Sequence, residues 1–431
     1  MMNNQEHVSI NLNVRGLTES ATLAINNQSR QLISQGKHVY RLGLGQSPFP
    51  VPEVVQKALR QNSHQKDYLP VQGLQTLREA VARYHAKSDS THFTPDSILI
   101  GPGSKELMFL LQICYYGDLV IPTPCWVSYS PQAQIVGRQV VSIPTSFENE
   151  WRLQPESLRQ LCEQDPGRPR LVILNYPGNP EGGTYSQQIL KEIAEIARKY
   201  DLIILSDEIY SKLTYSGEHI SIARYYPEGT IVSSGLSKWC GAGGWRLGTF
   251  AFPESLKWLQ NVMAAVASET YTSTSAPIQY AAVRAFEGGI AIERYLAHSR
   301  RILARLGEWA ASRLRDAGAR IFSPKGAFYL FPDFTPIADK FIRNQIPTST
   351  ELCRRALAET GVAFLPGKAF GRADEELTVR IAYVDFDGAR ALAASEQIPL
   401  DQDIGPDFIE FYCHNTKKGI ELLCDWVDAL K

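Results

Sequence analysis

A lysine and an arginine stand out in the stretch SSGLSKWCGAGGWRLG, residues 233–248, because its other residues are small or uncharged. The lysine is Lys238, and the arginine, Arg246, follows eight positions later. A lone lysine in a glycine-containing loop is usually a solvated surface charge. When it is held away from water beside another cation, its amine becomes a nucleophile that forms a Schiff base with an aldehyde. The nearby arginine suits a phosphate group on the same molecule.

Three further segments carry polar residues or a glycine turn directly after an apolar run. They are GPGSKEL (101–107), NYPGNPEGG (175–183) and SDEIYS (206–211). The first leads into a helix, whose free N–H groups and positive dipole end suit a phosphate. The second supplies Asn175 and Asn179, and the third supplies Asp207 and Tyr210. Because ligands bind at the carboxyl ends of strands in an open α/β sheet, we expect these residues to reach one crevice.

Each of these residues also has an ordinary structural explanation. Asp207 could be a helix N-cap, the Asn-Pro dipeptide a turn, and Tyr210 a packed residue with a solvated hydroxyl. Arg246 could simply pair with a carboxylate. Their joint appearance at strand ends favours chemistry instead. An amine for an aldehyde, a phosphate cradle and a buried carboxylate for a ring nitrogen are the requirements of pyridoxal 5'-phosphate.

The elements that must position these residues follow a strand–helix alternation. Seven apolar runs, rich in Val, Ile and Leu, do not alternate with polar residues, as is typical of strands buried on both faces. They are residues 97–101, 118–122, 140–144, 170–175, 202–207, 230–235 and 248–252. The segment 186–201 has isoleucines spaced four and three apart, which predicts an amphipathic helix. We therefore predict an α/β fold with a mostly parallel sheet flanked by helices.

The C-terminal third predicts a second, smaller domain. A helical pattern runs through 290–318 and ends at a glycine, and mixed strands and helices follow, including GAFYLFP (326–332) and ELTVRIAYV (376–384). We predict an N-terminal arm and part of the small domain at 1–48, a large cofactor-binding domain at 49–305 and a C-terminal small domain at 306–431. The small domain is α+β, built from both terminal segments. The segment 395–415 fits no clear pattern and is interpreted as an insertion.

Composition argues against several other classes of protein. The net charge of −1 leaves no electrostatic footprint for nucleic acid or an anionic membrane. Seven scattered cysteines without a C-x-x-C pair indicate a reducing compartment and no metal site. There is no secretory signal at the start and no apolar stretch long enough to span a bilayer. No GxGxxG or GxxxxGK[ST] motif supports a dinucleotide or P-loop site. We expect a cytoplasmic protein.

The chain from about residue 20 to 394 resembles the class I/II aminotransferases, fold-type I pyridoxal-phosphate enzymes, and especially their aspartate-aminotransferase-like members. The resemblance implies a Schiff base on Lys238, a phosphate contact from Arg246, and contacts to the ring nitrogen and phenolic oxygen from Asp207 and Tyr210. The other positions that match the family's cofactor contacts are Gly103, Ser104, Lys105, Trp126, Asn179 and Ser237, with Tyr68 reaching the phosphate of a partner subunit. Gly45, Asn179 and Arg380 match substrate contacts, with Arg380 holding the α-carboxylate.

Three positions depart from the family pattern. Glu181 replaces the threonine of the family's NPTG motif, and we expect its side chain to point outward. Gly235 stands where many relatives have a phosphate-binding serine, so Ser234 or Ser237 is expected to substitute. The segment SETYTSTSAPIQ (268–279) lacks the arginine that aspartate-specific relatives supply from the neighbouring subunit. Some branches that use aspartate have another cation instead, so this lowers the expectation of aspartate without excluding it.

The resemblance implies a homodimeric aminotransferase that moves an amino group between an L-amino acid and a 2-oxo acid by a ping-pong mechanism. Two alternatives stay open. A C–S β-lyase or an aminocyclopropane-carboxylate synthase shares nearly every cofactor residue, and release of pyruvate and ammonia without an oxo-acid acceptor would identify a lyase. A ligand-sensing domain without turnover normally carries a DNA-binding helix-turn-helix, which the N-terminal forty residues are too short and too uncharged to form.

Overall fold

The computed structural model describes residues 9–89 and 91–430, so the first eight residues of the predicted arm and the last residue of the predicted C-terminal domain lie outside it. The α-helices are α1 (Ala21–Ser34), α2 (Glu53–Asn62), α3 (Gln75–Asp89), α4 (Ser104–Cys114), α5 (Tyr129–Ile135), α6 (Pro155–Gln164), α7 (Gln187–Lys199), α8 (Lys257–Thr270), α9 (Ala276–Glu287), α10 (Ile290–Asp316), α11 (Ala338–Arg343), α12 (Ser349–Thr360), α13 (Gly388–Glu396), α14 (Asp407–Tyr412) and α15 (His414–Ala429). The strands are β1 (Tyr40–Arg41), β2 (Ile98–Gly101), β3 (Asp118–Thr123), β4 (Val140–Pro144), β5 (Arg170–Asn175), β6 (Ile203–Asp207), β7 (Thr230–Gly235), β8 (Gly248–Ala251), β9 (Tyr329–Leu330), β10 (Val362–Ala363), β11 (Leu365–Pro366) and β12 (Val379–Ala382).

The seven predicted apolar runs form one central sheet, with boundaries within one residue of those predicted. Its order is β2-β8-β7-β6-β5-β3-β4. Strands β7, β6, β5, β3 and β4 pair in parallel, whereas β8 is antiparallel to both of its neighbours. The predicted mostly parallel sheet is confirmed.

Burial on both faces explains why these strands do not alternate with polar residues. Along β5, Leu171 and Ile173 pack in one apolar cluster with residues of α4 and α8. Their neighbours Val172 and Leu174 pack in a second cluster with residues of α6 and α7. Successive side chains of a strand point to opposite faces, so two helical layers require an apolar residue at every position.

The terminal segments meet in a smaller α+β unit, as predicted. Strand β1 pairs in parallel with β10, and β11, β12 and β9 form a three-stranded antiparallel sheet. The long helix α10 links this unit to the large sheet and stops just before Gly318, which has a φ of +93°. Glycine adopts this conformation without strain, which explains the stop signal in the sequence. The boundaries at 48 and 305 stay predictions.

The patternless segment 395–415 is packed against α10 and contains the short helix α14. The side chain of Arg301 donates hydrogen bonds to the carbonyl oxygens of Ile398, at 2.7 Å, and Pro399, at 2.8 Å. Phe408 and Ile409 of α14 are buried. An arginine more than ninety residues away organises this segment, so no local periodicity could have predicted its structure.

Within the described ranges 9–89 and 91–430, no helix combines the length and the apolar character that crossing a membrane requires.

Candidate active site

A cavity of about 400 Å³ opens at the carboxyl ends of β5, β6 and β7. Parallel strands in register bring their ends together, since Asn175 pairs with Asp207 and Asp207 pairs with Ser233. The predicted site residues that line the cavity are Gly45, Ser104, Lys105, Trp126, Asn179, Asp207, Tyr210, Ser237, Lys238 and Arg246. Ten residues that the sequence predicts for the site therefore line the same cavity.

Lys238 reaches this cavity from the turn that follows β7. Its ammonium nitrogen donates a hydrogen bond to the carbonyl oxygen of Gly45 at 2.7 Å and lies 5.5 Å from the ring centre of Tyr210. The side chain is only partly exposed. Among residues 9–89 and 91–430, the amine therefore bonds to this neutral acceptor and forms no ion pair with a carboxylate.

Asp207 ends β6 and is 4% exposed. The hydroxyl of Tyr129 donates to its Oδ2 at 2.6 Å, whereas its Oδ1 has no hydrogen-bond partner in the described part of the chain. Burial raises the pKa of Asp207 to about 6, although the Tyr129 hydrogen bond and the charge of Lys238 oppose the rise. A buried carboxylate oxygen without a donor is costly, so it indicates a donor supplied by a bound group.

The end of the cavity formed by the start of α4, Arg246 and β8 can bind an anion. Gly103 is the N-cap of α4 with a φ of +95°, and a Cβ there would lie 2.2 Å from Nη2 of Arg246. A Cβ on Gly248 would lie 2.1 Å from the backbone nitrogen of Ser104. Only glycines allow the arginine, the helix start and β8 to approach this closely. The free N–H groups of the first turn of α4 and the Arg246 guanidinium suit a phosphate.

Ser234 and Ser237, the two serines expected to substitute at Gly235, lie in different surroundings. Ser237 lines the cavity, whereas Ser234 is buried within β7 and does not. Of the two, Ser237 is therefore the one whose side chain a bound group could reach. A Cβ on Gly235 would lie 2.7 Å from the carbonyl oxygen of Leu247, so a serine at that position would not fit this backbone.

A second set of contacts ties the cavity to the C-terminal unit. The hydroxyls of Tyr210 and Tyr329 share a hydrogen bond of 2.7 Å, and a Cβ on Gly45 would lie 2.1 Å from the Tyr329 oxygen. Arg380 donates to Oδ1 of Asn179 at 3.2 Å and lies 4.9 Å from the ring centre of Tyr329. Arg380 is fully buried and stands behind Asn179 rather than on the cavity wall, and Gly103 likewise lies behind Arg246.

Tyr68 is the one predicted site residue far from this arrangement. Its side chain is 91% exposed, and it does not line the cavity of its own chain.

Glu181 does not point outward, and that expectation was wrong. Its carboxylate is buried and accepts a hydrogen bond from Nη1 of Arg152 at 2.6 Å; the two side chains are 7% and 4% exposed. A buried charge needs a partner, and this one could not be predicted locally, because Arg152 lies twenty-nine residues earlier.

Sequence reasoning missed three residues that shape the site. Tyr129 lies three residues after Trp126 and has no role in the sequence analysis, and Tyr329 lies in GAFYLFP, which is interpreted there only as part of the mixed strands and helices. Leu23 of α1 lines the cavity from the N-terminal segment. A buried tyrosine usually needs a hydrogen-bond partner, which was the only available signal for the first two.

The cavity fits pyridoxal phosphate at each of its ends. It offers an amine for an aldehyde, an orphaned carboxylate oxygen for a ring nitrogen, and a glycine-lined helix start with an arginine for a phosphate. Trp126 adds an aromatic face on the cavity wall. The fold and this cavity define a pyridoxal-phosphate enzyme of fold type I.

Comparisons with known proteins narrow that class. The family profile for aminotransferases of class I and II matches residues 37–394. The aspartate aminotransferase of Bacillus sp. (strain YM-2) is 33% identical over 380 residues, which cover 86% of this chain and 93% of the relative. The aspartate/prephenate aminotransferase of Thermus thermophilus is 31% identical over 362 residues, covering 83% and 90%. A structure of Thermus thermophilus aspartate aminotransferase with maleate superposes with a TM-score of 0.82 at 28% identity, covering 96% of this chain and 99% of that one.

The chain belongs to the class I and II aminotransferase family. It is a pyridoxal-phosphate-dependent aminotransferase, whose substrates are amino acids and 2-oxo acids.

Proposed function

We propose that this aminotransferase takes its amino group from an acidic L-amino acid, with Lys238 as the residue that carries the cofactor. The observation behind the proposal is the grouping of three cations, Lys105, Lys238 and Arg246, around a cavity in which Asp207 is the acidic side chain on the wall. One cation serves the aldehyde and one the phosphate. The third is then available for an anionic group of the substrate.

Pyridoxal phosphate supplies an aldehyde that condenses with amines and a ring that accepts electrons from the attached carbon. Lys238 would hold the aldehyde of this group, and its Nζ, as a free amine, would take the proton from the substrate Cα as a general base. The Asp207 carboxylate would hold a proton on the ring nitrogen, and the α4 turn with Arg246 would hold the phosphate. Arg380, which donates a hydrogen bond to Asn179, would pair with the α-carboxylate of the substrate.

Lys105 is the proposed partner of the substrate's second carboxylate. Its ammonium lies 5.1 Å from the ring centre of Trp126, on the cavity wall. Partial burial and the charges of Arg246 and Lys238 lower the pKa of Lys105, so it gains from an anionic neighbour. Its backbone N–H in the α4 turn stays free for the phosphate contact expected from the sequence. Relatives named for aspartate, and the maleate in the Thermus thermophilus structure, support a dicarboxylate.

Replacing Lys105 with methionine tests this substrate class. We expect kcat/KM for aspartate to fall about ten- to a hundredfold, the usual loss of a charge-assisted hydrogen bond. Alanine, which has no second carboxylate, serves as the control substrate, and its kcat/KM is expected to change little. An equal loss for both amino acids, together with weaker cofactor binding, would instead place the Lys105 ammonium on the phosphate.

We also propose a homodimer with shared active sites and a cytoplasmic location. The side chain of Tyr68 is 91% exposed, so its aromatic ring lies in water unless a second chain covers it. Trp258 and Val262 of α8 are exposed as well, at 52% and 44%. All seven cysteines are free thiols, as is usual in a reducing compartment.

Subunit mixing tests the shared site. A Lys238→Ala chain is paired with a Tyr68→Phe chain at limiting cofactor. If Tyr68 reaches the phosphate of the partner subunit, one site of the hybrid collects both defects and the other is intact, so activity rises well above that of either parent. The Tyr68→Phe parent alone is expected to lose about ten- to a hundredfold in cofactor affinity. No rise in dimers shown to have exchanged subunits would refute the crossing.

A further inference from the structure

The turn at residues 178–183 holds Asn179 in the active site and closes around a buried ion pair. The backbone nitrogen of Gly178 donates to the carbonyl oxygen of Gly183, and that of Gly182 donates to the carbonyl oxygen of Gly178, both at 2.9 Å. Glu181 folds back inside this turn. A Cβ on Gly178 would lie 1.6 Å from the Glu181 carboxylate, so the turn has no room for another residue there.

Arg152 enters the same turn from the outside. A Cβ on Gly183 would lie 1.9 Å from Nη2 of Arg152, so this glycine too makes space for the ion pair. Apart from its bond to Glu181, the guanidinium packs on the ring of Tyr185 at 5.2 Å, and its Nε and Nη2 have no hydrogen-bond partner within residues 9–89 and 91–430. Glu181 is therefore the main attachment of Arg152, and Arg152 the main attachment of Glu181.

The segment that carries Arg152 is fixed to the C-terminal unit on the residues just before it. Phe147 stacks on Phe322 with ring centres 4.2 Å apart, and Glu150 pairs with Lys325 at 2.8 Å. The ring of Trp151 packs edge-on against Phe331. These contacts hold the segment of Arg152 in place, and the ion pair between Arg152 and Glu181 attaches the turn to this segment.

On its other side, the turn sets the position of Asn179. The Asn179 backbone nitrogen donates to Oδ1 of Asn175 at 2.8 Å, and its own Oδ1 accepts from Arg380 at 3.2 Å. Asn179 is next to Gly178, the residue on which the Glu181 carboxylate rests. The Arg380 guanidinium also donates to the carbonyl oxygen of Gly43, so a shift of the turn that moves the Asn179 amide would remove one of the hydrogen bonds that orient it.

We propose that Glu181 and Arg152 are positioning residues that set Asn179 and, through it, Arg380 in the geometry that receives the substrate's α-carboxylate. This inference rests on the proposed role of Arg380. Neither Glu181 nor Arg152 lines the main cavity, so both act through the turn rather than by touching substrate.

The test measures equilibrium binding of maleate, a dicarboxylate that cannot react, by calorimetry on the holoenzyme. Glu181→Gln keeps the size of the side chain and removes its charge. We expect the maleate dissociation constant to rise about tenfold, within the range for residues coupled in one hydrogen-bond network. In an Asn179→Ala background the same substitution is expected to have no further effect, because the ion pair between Glu181 and Arg152 then has no Asn179 side chain to position. An equal effect in both backgrounds, or none in either, would overturn the proposal.

Two controls separate positioning from a general loss of stability. Asp118→Asn removes the charge of a buried carboxylate that pairs with Arg168 at the start of β3, at the end of the sheet opposite the cavity. It is expected to lower Tm while leaving maleate binding unchanged. The double variant Arg152→Met with Glu181→Met removes both charges and keeps side-chain length, so it avoids an unpaired buried arginine. It is expected to weaken maleate binding as Glu181→Gln does, and wild-type binding would show that the ion pair is not needed.

The proposed function is tested separately by Arg380→Lys, which cannot reproduce the planar fork of the guanidinium. If this variant binds maleate as the wild type does, Arg380 does not hold a carboxylate and the proposed function fails at that point. If Arg380→Lys weakens maleate binding but Glu181→Gln does not, only the positioning role is lost.

Discussion

Replacing Lys238 with alanine is expected to abolish covalent attachment of pyridoxal phosphate and to lower transamination by at least about ten-thousandfold. The magnitude follows from two roles in one residue: a general base alone typically contributes about 10²–10⁴ in rate, and the nucleophile contributes in addition. Lys238 is the amine that lies beside Gly45 and Tyr210 in the described part of the chain. The remaining lysine on the described cavity wall, Lys105, has its ammonium beside the ring of Trp126.

Borohydride reduction followed by peptide mapping checks this result without relying on activity. In the wild type, the reduced cofactor is expected on the peptide that contains Lys238. Lys105→Ala is the matched control, because it removes the other amine of the cavity and is expected to leave the label on Lys238. A reduced cofactor on Lys105, in either the wild type or the Lys238→Ala variant, would contradict the assignment of the nucleophile.

The sequence predicted the central sheet because burial on two faces leaves a local signature. Each of the seven strands is an unbroken apolar run, as in residues 170–175, and the helices between them keep their own period, as in 186–201. The strand ends then located Asn179, Asp207 and Lys238, since parallel strands present their carboxyl ends at one edge. Most of the cavity wall could be predicted in this way.

Contacts between distant parts of the chain carry no such signature. The hydrogen bond from Tyr129 to Asp207 joins residues 78 positions apart, and that between Tyr210 and Tyr329 joins residues 119 apart. The burial of Glu181 depends on Arg152 and on glycines at 178 and 183. Only the folded chain brings these groups together, so a charged residue in a polar turn was expected to face solvent. Tyr68 differs again, because its proposed partner belongs to a second chain.

Asp207→Asn is expected to lower turnover by about 10²–10³, the usual effect of removing one preorganised charge from an active site. An amide keeps the size of the carboxylate and can still accept the Tyr129 hydrogen bond, but it cannot hold a proton on a ring nitrogen. The same substitution is expected to stabilise the cofactor-free protein at neutral pH. Burial raises the pKa of Asp207 to about 6, so without cofactor the folded chain binds this proton more tightly than the unfolded chain does.

The stability of the cofactor-free protein therefore depends on pH. The raised pKa contributes stability that is fully present below the ordinary pKa near 3.8 and is lost as the pH rises toward 6. The cofactor-free wild type therefore loses stability over this interval, whereas Asp207→Asn, which is neutral at every pH, does not. Thermal unfolding of both cofactor-free proteins between pH 4 and 7.5 measures the gap, which is expected to widen up to pH 6 and then stay constant. With cofactor bound, the wild type should be the more stable of the two proteins, because the Asp207 carboxylate then has a partner. A variant that kept more than about a third of wild-type turnover, where a loss of 10²–10³ is expected, would show that Asp207 serves the fold and not the reaction.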